Sequence, residues 1–371
     1  MTAGRPVVLL VGDTLNFGGT EGQFVELACR LDRSRWEVEA ACVRPKGPLL
    51  PKLEAVGIQP WHCGPTSFKS PRLLTAIVAL ARRIRTRGVS VVHSFDFYTN
   101  ILALPAARLA GVRAIIGSQR NLGNLRPRAQ RTMHGLSLRL ATHILVNSDA
   151  VKERVVQSQR FLPNHVTVIS NGLDFARFSP RQGAKRNDAG LVVGALSNLR
   201  PEKGLSDLIR AASIVRDQWP EVRFEIWGEG YLRDELERLL ASLNLATTVV
   251  LKGSTDQPEA ALRELDIFVL PSLSEACSNG LMEAMATALP VVATAVGGNP
   301  GLVEDEVTGL LVPPGDAAAI AKALIRLMED RTLAARLGKQ AHTHARFTFG
   351  MERMVGRTQA LYAQALGMES A

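Results

Sequence analysis

Short apolar runs alternate with amphipathic stretches along most of this chain, and that alternation narrows the available folds more than any other feature. In the first half the runs are VVLLV (7–11), VEAACV (38–43), SVVH (90–93), AIIG (114–117), HILV (143–146) and VTVI (166–169). Several are apolar on consecutive residues, as in parallel strands covered on both faces. Between them lie helical patterns, such as residues 21–31 and 73–84. This series stops after Ser170-Asn171-Gly172, a turn signal, and the polar RQGAKRNDAG stretch (181–190) marks a linker. A second series follows at 191–196, 224–227, 248–251, 267–270 and 290–293, closed by helical stretches at about 316–345 and 350–366. The expected architecture is α/β, with two Rossmann-like parallel-sheet domains facing across a cleft. The expected limits are an N-terminal domain at 1–178, a linker at 179–190 and a second domain at 191–345. A C-terminal helix at 346–371 is expected to pack back on the N-terminal domain. Clefts at the carboxyl ends of strands are where such proteins bind ligands.

The 371 residues suffice for two large cores. Four scattered cysteines (Cys29, Cys42, Cys63, Cys277) form no CxxC pair. Three of them, Cys29, Cys42 and Cys63, sit in apolar surroundings and read as buried thiols in a reducing compartment. The longest apolar stretch, Leu73–Ala81, is far short of the roughly 20 residues a membrane span needs. The N-terminus reads as a first strand, so cytoplasmic residence is expected. The net charge of +9 is unevenly placed: residues 1–180 carry 24 basic and 11 acidic side chains, and the remainder 20 and 24.

Four loops carry candidate chemistry. Gly18 and Gly19 end the first strand-to-helix turn; they either let backbone approach an anionic ligand or form a plain connection capped by Thr20. The loop SNLRPEKG (197–204) offers two cations, Arg200 and Lys203, which suit a diphosphate or a solvated surface. WGEG (227–230) either approaches a ligand or simply turns tightly. The most informative stretch runs from Pro271 to Ala286 (PSLSEACSNGLMEAMA), after the strand IFVL. Its Ser/Asn/Gly segment suits a loop leading into a helix near 279–281, whose N–H groups favour phosphate. Glu275 then lies in the loop and Glu283 in the first helical turn. Both are able to accept sugar or ribose hydroxyls. The alternatives are a surface acid at 275 and a capping-box residue at 283, with Gly280 as N-cap.

Taken in order and spacing, these elements resemble a retaining glycosyltransferase of the GT-B fold, group 1 or family 4 type. The elements are Gly18-Gly19, LRPEKG ending in Lys203-Gly204, WGEG and the Glu275–Glu283 pair. SNGLDFARF (170–178) and GGNPGLVEDEVTGLLVPPGD (297–316) complete the resemblance. It spans nearly the whole chain, and the second half carries its specific part. It implies a nucleotide-diphosphate sugar held mainly by the C-terminal domain. Lys203 would then meet the diphosphate, and Glu275 the donor sugar, as catalytic residues. Glu283 would hold the ribose, and Ser278, Asn279, Gly280 and Leu281 would offer backbone N–H groups. Gly228 and Asn198 would line the donor site, Gly253 with Leu251 and Lys252 would lie against the base, and Gly18 and Gly19 would close over the donor. No cofactor and no metal are implied beyond the nucleotide sugar itself.

Two positions depart from the family pattern. Asn198 stands where an Arg is usual, and Arg200 is a candidate to take over its contact. Gln119, followed by Arg120, stands where a His is common, and a neutral amide accepts no proton near neutral pH. His93 matches another family His; it either orients an acceptor or is a satisfied histidine at a strand end. His93, Gln119 and Arg120 are thus the acceptor-side candidates. The basic stretches Lys69–Arg87 and Arg120–Arg139 suit an anionic membrane surface and a lipid-linked acceptor, or else are solvated faces. A saccharide acceptor is equally compatible, within cell-envelope, exopolysaccharide or glycolipid synthesis. The rival readings are a sugar-nucleotide epimerase and a non-catalytic nucleotide-sugar sensor. No strand ends in GxGxxG, against a dehydrogenase, and the basic runs lack interleaved aromatics, against a nucleic-acid partner.

Overall fold

The computed structural model describes residues 4–65, 68, 71–124, 126–159, 161–181 and 190–368. Lys69 and most of the linker, 182–189, lie outside the described residues. The chain divides into two compact units. Unit 1 is residues 1–172 with 352–371, and unit 2 is residues 173–351.

Unit 1 runs β1 (Val7–Thr14), α1 (Gly19–Arg30), β2 (Glu37–Arg44), α2 (Leu50–Ala55), β3 (Trp61–His62), α3 (Arg72–Thr86) and β4 (Val89–Ser94). It continues through α4 (Phe97–Ala110), β5 (Ala114–Gln119), α5 (Arg128–Leu138), β6 (His143–Val146), α6 (Asp149–Gln159) and β7 (Val166–Val168). Its seven strands are parallel, in the order β3-β2-β1-β4-β5-β6-β7. Unit 2 runs β8 (Val192–Leu196), α7 (Leu205–Gln218), β9 (Arg223–Trp227), α8 (Arg233–Ser242), β10 (Val249–Gly253) and α9 (Pro258–Glu264). Then come β11 (Ile267–Leu270), α10 (Asn279–Ala286), β12 (Val291–Thr294), β13 (Leu310–Val312), α11 (Ala317–Glu329) and α12 (Arg331–Thr348). Its six strands, also parallel, lie in the order β10-β9-β8-β11-β12-β13. The last helix, α13 (Met351–Leu366), returns to unit 1: Gln359 accepts from the Asp32 backbone N–H at 3.0 Å, and Arg357 donates to the Val168 carbonyl at 2.7 Å. In each sheet the winding direction reverses once, between β1 and β4 and between β8 and β11. Those switch points leave open crevices at the strand ends.

The consecutive apolar runs are explained by β11. Ile267 and Val269 pack into one hydrophobic cluster with Leu208 and Leu324, while Phe268 and Leu270 pack into the other with Met285 and Ala341. Both faces are therefore dry, and each such side chain contributes roughly 1.5–3 kcal/mol of burial.

Two strands escaped the sequence pattern. β3 and β13 are only two and three residues long. The stretch 316–345 is two helices, because Asp330 leaves helical geometry (φ −103°, ψ 86°) and its carboxylate accepts from the Leu333 N–H at 2.8 Å. Cys29 and Cys63 are half-buried, not buried. Burial still pushes the Cys63 thiol up to about 12, so it is protonated at neutral pH.

Candidate functional site

In unit 2, backbone contacts stitch successive strand ends together. The Ser197 N–H donates to the Trp227 carbonyl at 2.9 Å, the Leu199 N–H to Glu229 at 3.0 Å, and the Gly228 N–H to Gly253 at 2.8 Å. Such close approach demands glycine. Gly228 has φ +146°, and a Cβ there would lie 1.9 Å from the Ser197 carbonyl oxygen. Gly204 (φ +62°) ends a short 3-10 turn over Pro201–Lys203, and its Cβ would lie 2.0 Å from the Pro271 oxygen. The same turn accepts the Leu273 N–H on the Glu202 carbonyl at 2.8 Å.

This stitching brings Lys203 to Glu275, 72 positions later: the Lys203 ammonium donates to Glu275 Oε2 at 2.5 Å. Both side chains are largely shielded from solvent. Ser272 Oγ donates to the same carboxylate oxygen at 3.4 Å, and the Glu275 carbonyl accepts the Gly298 N–H at 3.0 Å. The cation and acid expected to meet a donor therefore hold each other. Asn198 and Arg200 are both exposed in the same loop. Gly253 has φ +82° and ends β10, while the Lys252 ammonium stands 5.0 Å over the Trp227 ring.

Helix α10 begins as the loop chemistry requires. Ser278, not Gly280, is the N-cap, and its Oγ accepts the Leu281 N–H at 3.2 Å. Gly280 is the second helical residue. A helix N-terminus that begins this way favours an anion. Glu283 is the fifth residue and lies in the second turn, not the first, because the helix starts at Asn279. It is not part of a capping box. Its carboxyl has no hydrogen-bond partner among the described residues. Burial pushes it up to about 7, opposed by the Arg177 charge and reinforced by Glu259.

In unit 1, Gly18 is the extended N-cap of α1 (φ −172°), Gly19 is its first residue, and Thr20 lies inside the helix. The ends of β1 and β4 and the starts of α1 and α4 line a pocket of about 80 Å³, with Asp13, Glu21, Asp96 and Tyr98 on its walls. Burial raises Glu21 and Asp96 above the usual carboxylate range. These acids were not singled out from sequence; the signals were the place of Asp96 just after β4 and of Glu21 in the first turn of α1. Asp96 also accepts the Asn121 amide at 3.0 Å and stands 3.6 Å from Arg126.

The acceptor-side candidates end β4 and β5. His93 is buried, with Nδ1 2.6 Å from the Tyr362 hydroxyl and Nε2 2.7 Å from Ser118 Oγ. Burial, helped by the Arg120 charge, lowers it to about 3, so it is neutral. Both ring nitrogens are engaged within unit 1, which is the satisfied-histidine arrangement. Gln119 is buried and donates to the Asn121 carbonyl at 3.0 Å. Arg120 bonds the Asn171 side chain and stands 5.7 Å over the Phe95 ring. Among the described residues no group of three or more His, Cys, Asp and Glu is arranged to hold a metal, and no helix is long and apolar enough to cross a membrane.

Two parallel-sheet α/β units, with glycine-stitched loops at the strand ends and a capped α10 behind them, define a GT-B glycosyltransferase. The chain belongs to the group 1, family 4 glycosyltransferases. The family model described as "Glycosyltransferase Family 4" matches residues 17–177, and that described as "Glycosyl transferases group 1" matches 190–330. A D-inositol 3-phosphate glycosyltransferase of Streptomyces scabiei is 28% identical over 94% of this chain and 87% of its own. The UDP-Gal:alpha-D-GlcNAc-diphosphoundecaprenol alpha-1,3-galactosyltransferase of Escherichia coli is 26% identical over 70% of this chain and 72% of its own. Among solved structures, Anabaena HepE in complex with UDP superposes with a TM-score of 0.82 at 20% identity, covering 96% of this chain and 99% of that one.

Proposed function

We propose that this protein is a retaining hexosyltransferase that takes its sugar from a nucleoside-diphosphate donor held on unit 2. The observation that carries the reading is the meeting of Lys203 and Glu275 beside the α10 N-terminus. When a diphosphate arrives, Lys203 exchanges one anion for another and offsets the charge that builds on the departing phosphate. Glu275 is released to accept donor-sugar hydroxyls, and Glu283 accepts those of the ribose. The new bond forms between an acceptor oxygen and the anomeric carbon as the bond from that carbon to phosphate breaks. The acceptor proton passes to the leaving phosphate oxygen on the same face, which retains configuration. No divalent ion is needed in this scheme, since Lys203 and the helix terminus meet the charge.

UDP is the first nucleotide to test, because the HepE structure contains it. The E. coli relative's name specifies a diphosphoundecaprenol acceptor, which supports a lipid-linked acceptor here. The surface of unit 1 supports the same reading. Residues 55–148 carry 13 basic side chains and one acid, Asp96. On α3, Leu74 is 68% and Val78 39% exposed, on the same helical stripe as exposed Arg82. Exposed aliphatics among cations fit an anionic lipid surface better than a solvated face.

The test is calorimetric titration of UDP, GDP and ADP, with EDTA present, into wild type, Lys203→Ala and Glu283→Ala. One nucleotide is expected to bind wild type and to bind each variant at least tenfold more weakly. Equal binding to all three proteins refutes the donor site. Radiolabelled sugar transfer to a polyprenyl-diphosphate saccharide then separates an enzyme from a sensor.

A further inference from the structure

At the outer edge of the unit 2 sheet, three side chains form a cluster with no part in the diphosphate scheme. β10 is the edge strand, and its pairing with β9 slips near its end. Leu251 pairs with Ile226 and Gly253 with Trp227, so Lys252 is an extra residue on a β-bulge. Bulges of this kind re-aim a side chain. Here the Lys252 ammonium stands 5.0 Å over the Trp227 ring and donates to Glu225 Oε1 at 3.4 Å. The indole Nε1 of Trp227 donates to the other oxygen of that carboxylate, Oε2, at 3.3 Å. Glu225 thus holds both neighbours at once. An ammonium has three N–H donors, and Glu225 takes one of them. The Lys252 side chain is 34% exposed, so its ammonium is held in place yet reachable.

We propose that Lys252, set in place by Glu225 and Trp227, selects the base of the donor. It donates to a ring oxo group and so favours uracil or an oxopurine over the amino bases cytosine and adenine. This rests on the reading that unit 2 holds a nucleoside-diphosphate donor, and adds to it which bases fit. The strand ends give the direction in which the base lies. Lys203 follows β8 and the α10 N-terminus follows β11, two neighbours in the middle of the sheet. β9 and β10 are one and two strands outward from β8, about 5 and 10 Å at the usual spacing. A nucleoside diphosphate laid across the strand ends covers that distance. The Ser197–Trp227 and Gly228–Gly253 backbone bonds tie these ends together, and the two glycines place no side chain in the way. In the other direction β12 and β13 end in Thr294 and Val312, with neither ring nor charge. A lysine donates and cannot accept, so it meets an oxo group and leaves an exocyclic amino group unpaired. Both Glu225 oxygens are already engaged, by Lys252 and Trp227, so the carboxylate is not free to take that amino group instead.

The test is calorimetric affinity for two nucleotide pairs, UDP with CDP and inosine diphosphate with ADP. Within each pair an oxo group is replaced by an amino group. In whichever pair binds, wild type is expected to favour the oxo member by about tenfold or more. Lys252→Met keeps the stem over the ring and loses the donors, so the preference should fall to within about twofold. The amino member's affinity should change little. Lys252→Glu should reverse the preference, since a carboxylate accepts from an amino group. Glu225→Ala releases Lys252 and should cut the preference several-fold. A loosened edge strand would instead weaken both members of a pair alike and leave their ratio intact. Equal binding of both members by wild type, a preference for the amino member, or an unchanged ratio in Lys252→Met overturns the proposal. Should that variant fail to fold, the wild-type ratio and Glu225→Ala decide it. Lys203→Ala should weaken every nucleotide alike. Wild-type binding by Lys203→Ala, or no binding of any nucleotide by wild type, would overturn the donor reading itself, a distinct outcome.

Discussion

Replacing Glu283 by glutamine should stabilise the ligand-free protein, and only above about pH 5. Burial raises this carboxyl from 4.5 to about 7. At about 1.4 kcal/mol per pH unit, the rise corresponds to as much as about 3 kcal/mol between the protonated and ionised forms. The sign follows from linkage. A folded-state value above the unfolded one means the native protein binds this proton more tightly, so stability is complete below 4.5 and is lost as pH rises through 7. Glutamine has nearly the same shape and carries no charge at any pH. Wild type and variant should therefore melt together at pH 4.5 and diverge progressively, the variant leading by several degrees at pH 8. Differential scanning calorimetry across that range, without nucleotide, measures the divergence. Midpoints that run parallel from pH 4.5 to 8 would show that Glu283 is solvated as an ordinary surface acid. The assignment of a half-enclosed, unpartnered carboxylate would then be wrong. The same variant should bind UDP poorly, so stability and function trade against each other at one atom pair.

Four further outcomes follow from particular residues. Gly228→Ala should cost about 2–4 kcal/mol, because it combines a left-handed φ with a 1.9 Å approach to the Ser197 oxygen. Gly22→Ala, in α1 with nothing within 4 Å, should instead stabilise by about 0.5–1 kcal/mol, and thermal midpoints compare the two. Tyr362→Phe leaves His93 Nδ1 without its hydroxyl and should cost about 1–3 kcal/mol by chemical denaturation. Wild type should co-sediment with anionic vesicles at low salt and not with neutral ones, and Leu74→Asp should release it; failure of wild type to pellet refutes the membrane surface.

Much of this protein was legible in its sequence because the informative interactions are local. Runs apolar on consecutive residues announce parallel strands, since β11 alternates its side chains between two dry faces. Ser278 before Asn279-Gly280 announces a helix start, because a side-chain cap and the amide it satisfies are three residues apart. What the sequence left open depends on partners far along the chain. Lys203 could be read as a solvated surface cation until the Gly204 turn, folded against Pro271, set it on Glu275. The partners of His93 were invisible until α13 brought Tyr362 to it across 269 positions. The proton affinity of Glu283 is raised by a burial that no motif spacing reveals. Periodicity and capping are written in neighbouring residues; burial, and the proton affinities it sets, exist only once distant segments have displaced the water between them.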